Sequence, residues 1–401
     1  MRITADPNIA LAAEIFSTLG EISLIPGQSW TAAAVRDADI LLVRSVTRVD
    51  ARLLEGSRVK FVGTATSGVD HIDTEYLKQK GIGFASAPGS NANAVAEYVL
   101  SALLVLAHEH AWSLAGMTVG IVGYGHVGSR LAELVRHLGL QCVLNDPPLK
   151  DLTAEARFLE LEEAISADIV TLHVPLTTEG RYPTVRLLDE GKLSRLKSGA
   201  VLINTARGGV IDEPALIKRL DQRPAITAVV DCWAHEPAID TGLLSRVSLG
   251  TPHIAGYSFD GKVKATERLY RAVCRYFGLH PKQPRQIASP PIKIIELGFA
   301  DDDNAADSLR RAVLAGYDVR RDAKALKQLL SLPEERRPGY FDELRRHYPL
   351  RREFNRTRVI IPAHRPKLAT TLRALGFQVQ DPHPFPPPYP HSIPPLDSGE
   401  G

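Results

Sequence analysis

A chain of 401 residues, 44% hydrophobic and 23% charged, is long enough for two or three ordinary globular domains. Its formal net charge of +2 excludes a bulk polycation built to hold a polyanion. Cys142, Cys232 and Cys274 lie far apart with no C-x-x-C pair, which speaks against a disulfide framework or a zinc site. No metal is therefore expected. The opening MRITADPN carries charges early and lacks an apolar core, and no run approaches the length of a membrane span. A cytoplasmic protein is expected.

Residues 1–90 alternate strand and helix signals. Apolar runs at 22–25, 40–43, 59–62 and 82–85 are separated by helical segments near 9–19, 31–36 and 74–80. That alternation predicts a parallel α/β sheet. Ligands of such sheets sit beyond the carboxyl ends of the strands, and three of those ends are polar. One carries Arg44, Ser45 and Thr47, another Thr64, Thr66 and Ser67, the third Ser90 and Asn91. Arg44, beside two hydroxyls, suits a substrate phosphate; a surface ion pair is its other reading. Residues 91–110 predict a long helix leading into a second domain.

Residues 117–146 open with a buried-strand run at 119–122. The chain then turns through Gly123, Gly125 and Gly128, which fit G-x-G-x-x-G, and Leu131, Leu134, Val135 and Leu138 follow at helical spacing. Gly123 allows the turn, Gly125 lets backbone approach a pyrophosphate, and Gly128 lets helix and strand pack closely. Eighteen positions beyond Gly128, after a second strand at 141–144, stands Asp146. A carboxylate there accepts from ribose hydroxyls and repels a 2′-phosphate, so NAD is predicted over NADP. Further strands at 169–174, 201–204, 226–230 and 247–249, with helices at 161–165, 189–196 and 213–220, complete a doubly wound domain.

Three strand ends in this domain hold the residues suited to chemistry. Arg207 precedes two glycines, Glu236 precedes Pro237, and His253 follows Pro252. Oxidising an alcohol needs a base for the hydroxyl proton, and a histidine titrates near neutrality. A carboxylate on the other ring nitrogen fixes its tautomer, and an arginine grips a carboxylate with paired N–H groups. Singly, each has a plainer reading: Arg207 an ion pair, Glu236 a helix-start acid, His253 a core histidine. His235 reads as a surface residue.

Residues 262–277 predict a helix returning to cover the first domain, and Pro281, Pro284, Pro290 and Pro291 mark a linker. Strands at 292–297 and 358–361, with helices at 304–315, 323–330 and 341–348, predict a small α+β domain. Its paired arginines (310–311, 320–321, 336–337, 345–346, 351–352) are interleaved with acids. We read most of them as solvated helix faces or dimer contacts, with no nucleic-acid partner, and one pair as reaching a partner's active site. The proline-rich end, 381–401, predicts a disordered tail.

The strings GYGHVGSRLA, TLHVPLTTEG, LINTARGGVIDEPAL, VVDCWAHEP and TPHIAGYS occur in that order. They resemble the D-isomer-specific 2-hydroxyacid dehydrogenases over residues 1 to about 280. The resemblance implies an NAD-dependent enzyme with an α/β fold: two Rossmann-like doubly wound parallel-sheet domains plus the small C-terminal domain. It implies a flavodoxin-like substrate domain (1–95 and 255–280), an NAD-binding domain (96–254) and a dimerisation domain (286–380) that makes a homodimer. Arg207 is implied as substrate clamp, Glu236 as partner of the histidine, and His253 as acid/base. Asp146, Val174, Ala206, Arg207, Asp231 and Gly256 are implied around NAD, with His126 and Val127 lining the pyrophosphate. Val174 departs from the threonine familiar there. Ser45, Thr66 and Tyr257 are implied as substrate contacts. The strings LLVRSVTRVD, FVGTATSGVDHID and TPHIAGYSFDGK match one branch more closely, which acts on a small phosphorylated 2-hydroxy acid. The alternatives are a sister dehydrogenase, such as a phosphoglycerate one, and an NAD-sensing scaffold or co-repressor on the same fold.

Overall fold

The computed structural model describes residues 1–155, 157–282, 290–297, 304–362 and 364–380. The expected tail, 381–401, and part of the expected linker lie outside the described residues. The chain builds three parallel sheets. The first contains β1 (Arg2–Ala5), β2 (Glu21–Leu24), β3 (Ile40–Val43), β4 (Phe61–Thr64) and β5 (Gly83–Ala85), in the order β2-β1-β3-β4-β5. This is the flavodoxin-like order. Helices α1 (Ala12–Phe16), α2 (Ala32–Val35), α3 (Ala51–Leu54) and α4 (Thr74–Gln79) connect its strands.

Helix α5 (Ala92–Glu109) carries the chain to the second sheet. Fifteen of its 18 residues are buried, so it is covered on every side rather than amphipathic. The second sheet holds β6 (Thr118–Val122), β7 (Gln141–Asn145), β8 (Ile169–Leu172), β9 (Val201–Asn204), β10 (Thr227–Val230) and β11 (Leu249–Gly250), ordered β11-β10-β9-β8-β6-β7. A lone parallel bridge from Leu144 to Phe158 stands beyond β7, where a doubly wound nucleotide fold has its outermost strand. Its helices are α6 (His126–Arg136), α7 (Pro147–Thr153), α8 (Leu161–Ile165), α9 (Glu190–Ser194), α10 (Glu213–Asp221) and α11 (Thr241–Arg246). The strand expected through residue 174 stops at Leu172, which leaves His173 and Val174 at the mouth of the fingerprint turn.

Helix α12 (Phe259–Tyr276) returns to the first sheet, where Leu269, Tyr270, Val273 and Cys274 join the core of Ile3, Phe16 and Phe61. The third sheet is β12 (Lys293–Glu296), β13 (Thr357–Ile360) and β14 (Gln378–Gln380), with α13 (Ala305–Gly316), α14 (Val319–Lys327), α15 (Arg337–Arg346) and α16 (Pro366–Ala374). This unit grips the second one from two sides. Val313, Tyr317 and Phe354 pack on α5, while Leu326, Leu329 and Phe341 enter the core beside Val230 and Trp233.

One arginine pair departs from the solvated or dimer-contact reading. Arg351 and Arg352 are 6% and 5% exposed. Arg351 donates to the Ala255 and Ala94 carbonyls at 3.0 and 2.6 Å and stacks 3.6 Å over the Tyr317 ring. Arg352 forms a two-pronged pair with Asp260 at 3.0 and 3.1 Å. Glu353 accepts from Ser258, Asn93 and Lys264, and Glu97 accepts from the Phe354 N–H. Buried charge survives here because it is paired and hydrogen-bonded. Burial nonetheless pushes the Glu97 carboxyl up to about 8 against the pull of Arg351. The cluster ties the third unit to the segments entering and leaving the second sheet. Among the described residues, no helix is long and apolar enough to cross a membrane.

Candidate active site

After β6, Gly123 turns the chain at φ 92°, a conformation side-chain-bearing residues avoid. A Cβ on Gly128 would collide with the Gly123 carbonyl, so α6 seats against the turn only with glycine there. Gly125 is different: a Cβ on it would meet no protein atom within 4 Å. The fold does not require glycine at that place, whereas a close-approaching pyrophosphate does. Gly125 is also the N-cap of α6, and no side chain caps that helix. The N–H groups of its first turn, including those of His126 and Val127, are thereby left for an anion.

Asp146 follows β7 and caps α7. Its carboxylate accepts from the Tyr124 N–H at 2.7 Å and the Leu149 N–H at 3.0 Å. Each oxygen keeps a lone pair, and the group is held at the mouth of the turn where ribose hydroxyls would lie. Val174 packs against Gly123. Ala206 is 5% exposed and donates its N–H to Asn204. This donor set fits a dinucleotide.

Three loops after β9, β10 and β11 are stitched to one another. Asn204 Nδ2 donates to the Arg207 and Cys232 carbonyls at 2.9 and 3.2 Å. A Cβ on Gly208 would collide with the Trp233 backbone, so glycine lets the first two loops touch. The Trp233 indole N–H donates to the Thr251 carbonyl at 2.8 Å. Asp231 is 1% exposed and accepts from the Thr251 hydroxyl at 2.6 Å and from the Ile254 and Ala255 N–H groups at 2.8 and 3.0 Å. It therefore buttresses the turn that carries His253, whose backbone is held left-handed at φ 54°. Such backbone persists only where its surroundings impose it.

Glu236 Oε2 lies 2.7 Å from His253 Nδ1, while its Oε1 accepts the Trp233 N–H at 2.8 Å. Burial works against a charged imidazole, yet Cys232 and Glu236 beside the ring raise His253 well above its ordinary value. Burial also pushes the Cys232 thiol up, which keeps it neutral and leaves Glu236 as the charge that matters. Burial would raise Glu236 in turn, but His253 outweighs it and the carboxyl is lowered. His235 is exposed at a turn with φ 60°.

Between the first two sheets lies a cavity of about 580 Å³. It gathers Arg44, Ser45 and Thr66 from the first sheet and Arg207, Glu236 and His253 from the second. Asp231, Gly256 and Tyr257 also line it. The fingerprint residues and Asp146, Val174 and Ala206 sit outside this cavity. The two places adjoin through Gly89, which rests against the His126 ring in the loop leading to Ser90 and Asn91.

The cavity also contains residues that the motifs did not mark. Arg207 Nε and Nη2 both donate to Asp70 across the cleft at 3.2 Å, and Nη1 donates to the Ala206 carbonyl at 2.8 Å. A Cβ on Gly68 would collide with that guanidinium, so glycine admits it. His71, bonded to the Thr64 hydroxyl at 2.9 Å, is pushed down to about 4 by burial and Arg207, against Asp70. Lys262 and Arg345 also line the cavity. Lys262 belongs to a string that marked the family without a role. Arg345 belonged to one of several arginine pairs with nothing to single it out.

The comparisons with known proteins agree with this geometry. A family profile described as D-isomer specific 2-hydroxyacid dehydrogenase, NAD binding domain, matches residues 104–255. Another, described as a domain of unknown function (DUF3410), matches residues 289–376. The chain is 46% identical over 384 residues to erythronate-4-phosphate dehydrogenase of Chromohalobacter salexigens, covering 95% of this chain and 99% of that one. It is 45% identical over 379 residues to the Azotobacter vinelandii protein of the same name, covering 94% and 100%. Among solved structures, NAD+-bound 3-phosphoglycerate dehydrogenase of Entamoeba histolytica superposes with a TM-score of 0.60 at 26% identity, covering 69% of this chain and 95% of that one. NAD is the cofactor, and the chain is an NAD-dependent oxidoreductase. With its sheet order, its glycine turn and its Arg207, Glu236 and His253 cleft, the chain belongs to the D-isomer-specific 2-hydroxyacid dehydrogenase family, in the group of the erythronate-4-phosphate dehydrogenases.

Proposed function

We propose that this chain oxidises 4-phospho-D-erythronate at C2 with NAD, giving (3R)-3-hydroxy-2-oxo-4-phosphooxybutanoate in pyridoxal 5′-phosphate (vitamin B6) biosynthesis. The observation that carries the reading is the 2.7 Å contact of His253 Nδ1 with Glu236, beside Arg207 in the inter-sheet cleft. NAD, when bound, supplies the hydride acceptor. His253, through the ring nitrogen that Glu236 does not hold, takes the C2 hydroxyl proton as the carbonyl forms. Glu236 fixes the tautomer and steadies the imidazolium. Arg207 offers its paired N–H groups to the substrate carboxylate, which takes the place of Asp70 on the guanidinium. Ser45, Thr66 and Tyr257 contact the substrate from the cleft walls, and Arg44 faces its phosphate.

Asp146 with Gly123, Gly125, His126, Val127 and Gly128 would hold the cofactor, together with Val174, Ala206, Asp231 and Gly256. The first sheet with α12 forms the substrate domain (1–95 and 255–280), the second the NAD domain (96–254) and the third the dimerisation domain (286–380). A homodimer through that third unit is supported by β12, an edge strand whose Ile294 is 61% exposed. A cytoplasmic site is supported by free Cys142, Cys232 and Cys274. The test of substrate is kcat/KM with NAD on 4-phospho-D-erythronate against 3-phospho-D-glycerate. A clear preference for the first is expected. Preference for the second overturns the substrate, and NADH from neither overturns the activity.

A further inference from the structure

The cleft lining holds two groups of charges, and His253 lines the same cleft. In one group Arg207 faces Asp70 and His71. In the other, Arg44, Lys262 and Arg345 gather around Tyr257. Lys262 Nζ stands 4.8 Å from the centre of the Tyr257 ring, and the Arg345 guanidinium stands 5.9 Å from it. Among the described residues, no carboxylate pairs with Lys262 or Arg345. Arg44 reaches only Asp6, at 3.9 Å, and that acid already accepts from Asn8 and Gly27. Arg345 is supported by the Tyr257 phenol and, beyond it, by Glu236 and Asp342, while the crowding of like charges shows in the Tyr257 phenol. Burial would raise it, but Arg345, Arg44, His253 and Lys262 hold it below its ordinary value. Lys262 is lowered too, by burial first and then by Arg44.

Arg345 reaches this group from the third unit. Phe341, one helical turn earlier on the same face of α15, is fully buried in the core beneath the second sheet. That anchor aims Arg345 into the cleft and leaves Arg346 exposed. Its Nε is buried without a hydrogen-bond partner, a donor left waiting.

We propose that Arg345, with Lys262 and Arg44, forms the subsite for the substrate's phosphate, so that the C-terminal unit sets the preference for a phosphorylated substrate in its own chain. This rests on the reaction proposed above. An arginine pair was expected to serve a partner's site; the arginine singled out here, Arg345, lines the cleft of its own chain. A 2-hydroxy acid with a terminal phosphate carries two separate anions, and the cleft lining holds two separate cationic groups together with the base. The carboxylate goes to Arg207. The phosphate, a dianion with three acceptor oxygens, suits two guanidinium forks and an ammonium. Across the whole cleft lining, five Lys or Arg side chains face three carboxylates, and Asp231 among these is already fully engaged.

The test uses the full-length enzyme with NAD, 4-phospho-D-erythronate, D-erythronate and inorganic phosphate as competing anion. Arg345→Gln should raise KM for the phosphorylated substrate roughly tenfold to a hundredfold, the weight of one charged hydrogen bond. Turnover of D-erythronate and the KM for NAD should not move, and the inhibition constant of phosphate should rise in parallel. Arg345→Lys should recover much of the loss, and Arg346→Gln should change nothing. Equal losses on both substrates, or unchanged phosphate inhibition, would overturn the subsite. If Arg345→Gln weakens NAD binding or the fold, Lys262→Gln gives the same readout. A wild-type enzyme that ignores 4-phospho-D-erythronate but is inhibited by phosphate through Arg345 would sink the substrate and keep the subsite.

Discussion

The two walls of the cleft are built differently. On the second-sheet wall, every reacting group is held by its neighbours. Asp231 clasps the turn of His253, Glu236 is bonded to both Trp233 and His253, and Asn204 ties two loops together. On the first-sheet wall, Ser45 and Asp70 are exposed and Arg44 stands 3.9 Å from its one acid. The contrast teaches where precision is needed. Proton transfer fails if a base is misplaced by an ångström, so its loops are preorganised. Recognition of a flexible anion tolerates, and uses, side chains that can adjust.

The comparison breaks most sharply at His253. His253→Ala should lower kcat by on the order of 10²–10⁴-fold, the usual worth of a positioned base, with NAD affinity unchanged. Stopped-flow NADH formation reads the first and fluorescence titration the second. Retained turnover would remove the base from that wall.

Glu236→Gln sharpens the same contrast through pH. The imidazole is raised, so it is protonated below its elevated pKa and cannot accept a proton there. Oxidation should therefore speed up as pH rises through that value. Without the carboxylate the value falls, and the acid limb of kcat/KM should move to lower pH. A pH profile that does not shift would mean that Glu236 is not what charges the ring.

The smallest effect belongs to the adjustable wall. Asp70→Asn removes the acid that substrate must displace from Arg207. Because the pair is partly exposed, at 60% for the Asp70 side chain, its worth is small. KM for the substrate should fall by about 1.4-fold to 5-fold. A rise in KM would show that Asp70 positions Arg207 instead of competing for it.

Strand runs such as Ile40–Val43, and Val201–Asn204 up to its closing asparagine, were legible because consecutive apolar residues in this alternation have few other uses. β1 and β14 were not, since four and three mixed residues carry no period. Short helices α3, α7 and α11 escaped although Asp50, Asp146 and Asp240 cap them. A cap beside one turn of helix is a weaker signal than the repeat of a long one.

What the sequence determined by itself was local: the glycine turn, the acid after β7, and an Arg, a Glu and a His each at its own strand end. Those groups are set by residues adjacent in the chain, so spacing suffices to find them. What only the tertiary structure decided was which distant charges meet. Asp70 reaches Arg207 across 137 positions, and Arg351 and Arg352 are buried because Ala94, Ala255 and Asp260 receive them. Arg345 enters the cleft because Phe341 anchors its helix in another unit's core. An arginine looks the same in sequence whether it meets water or a substrate, since its environment is made by residues far away along the chain.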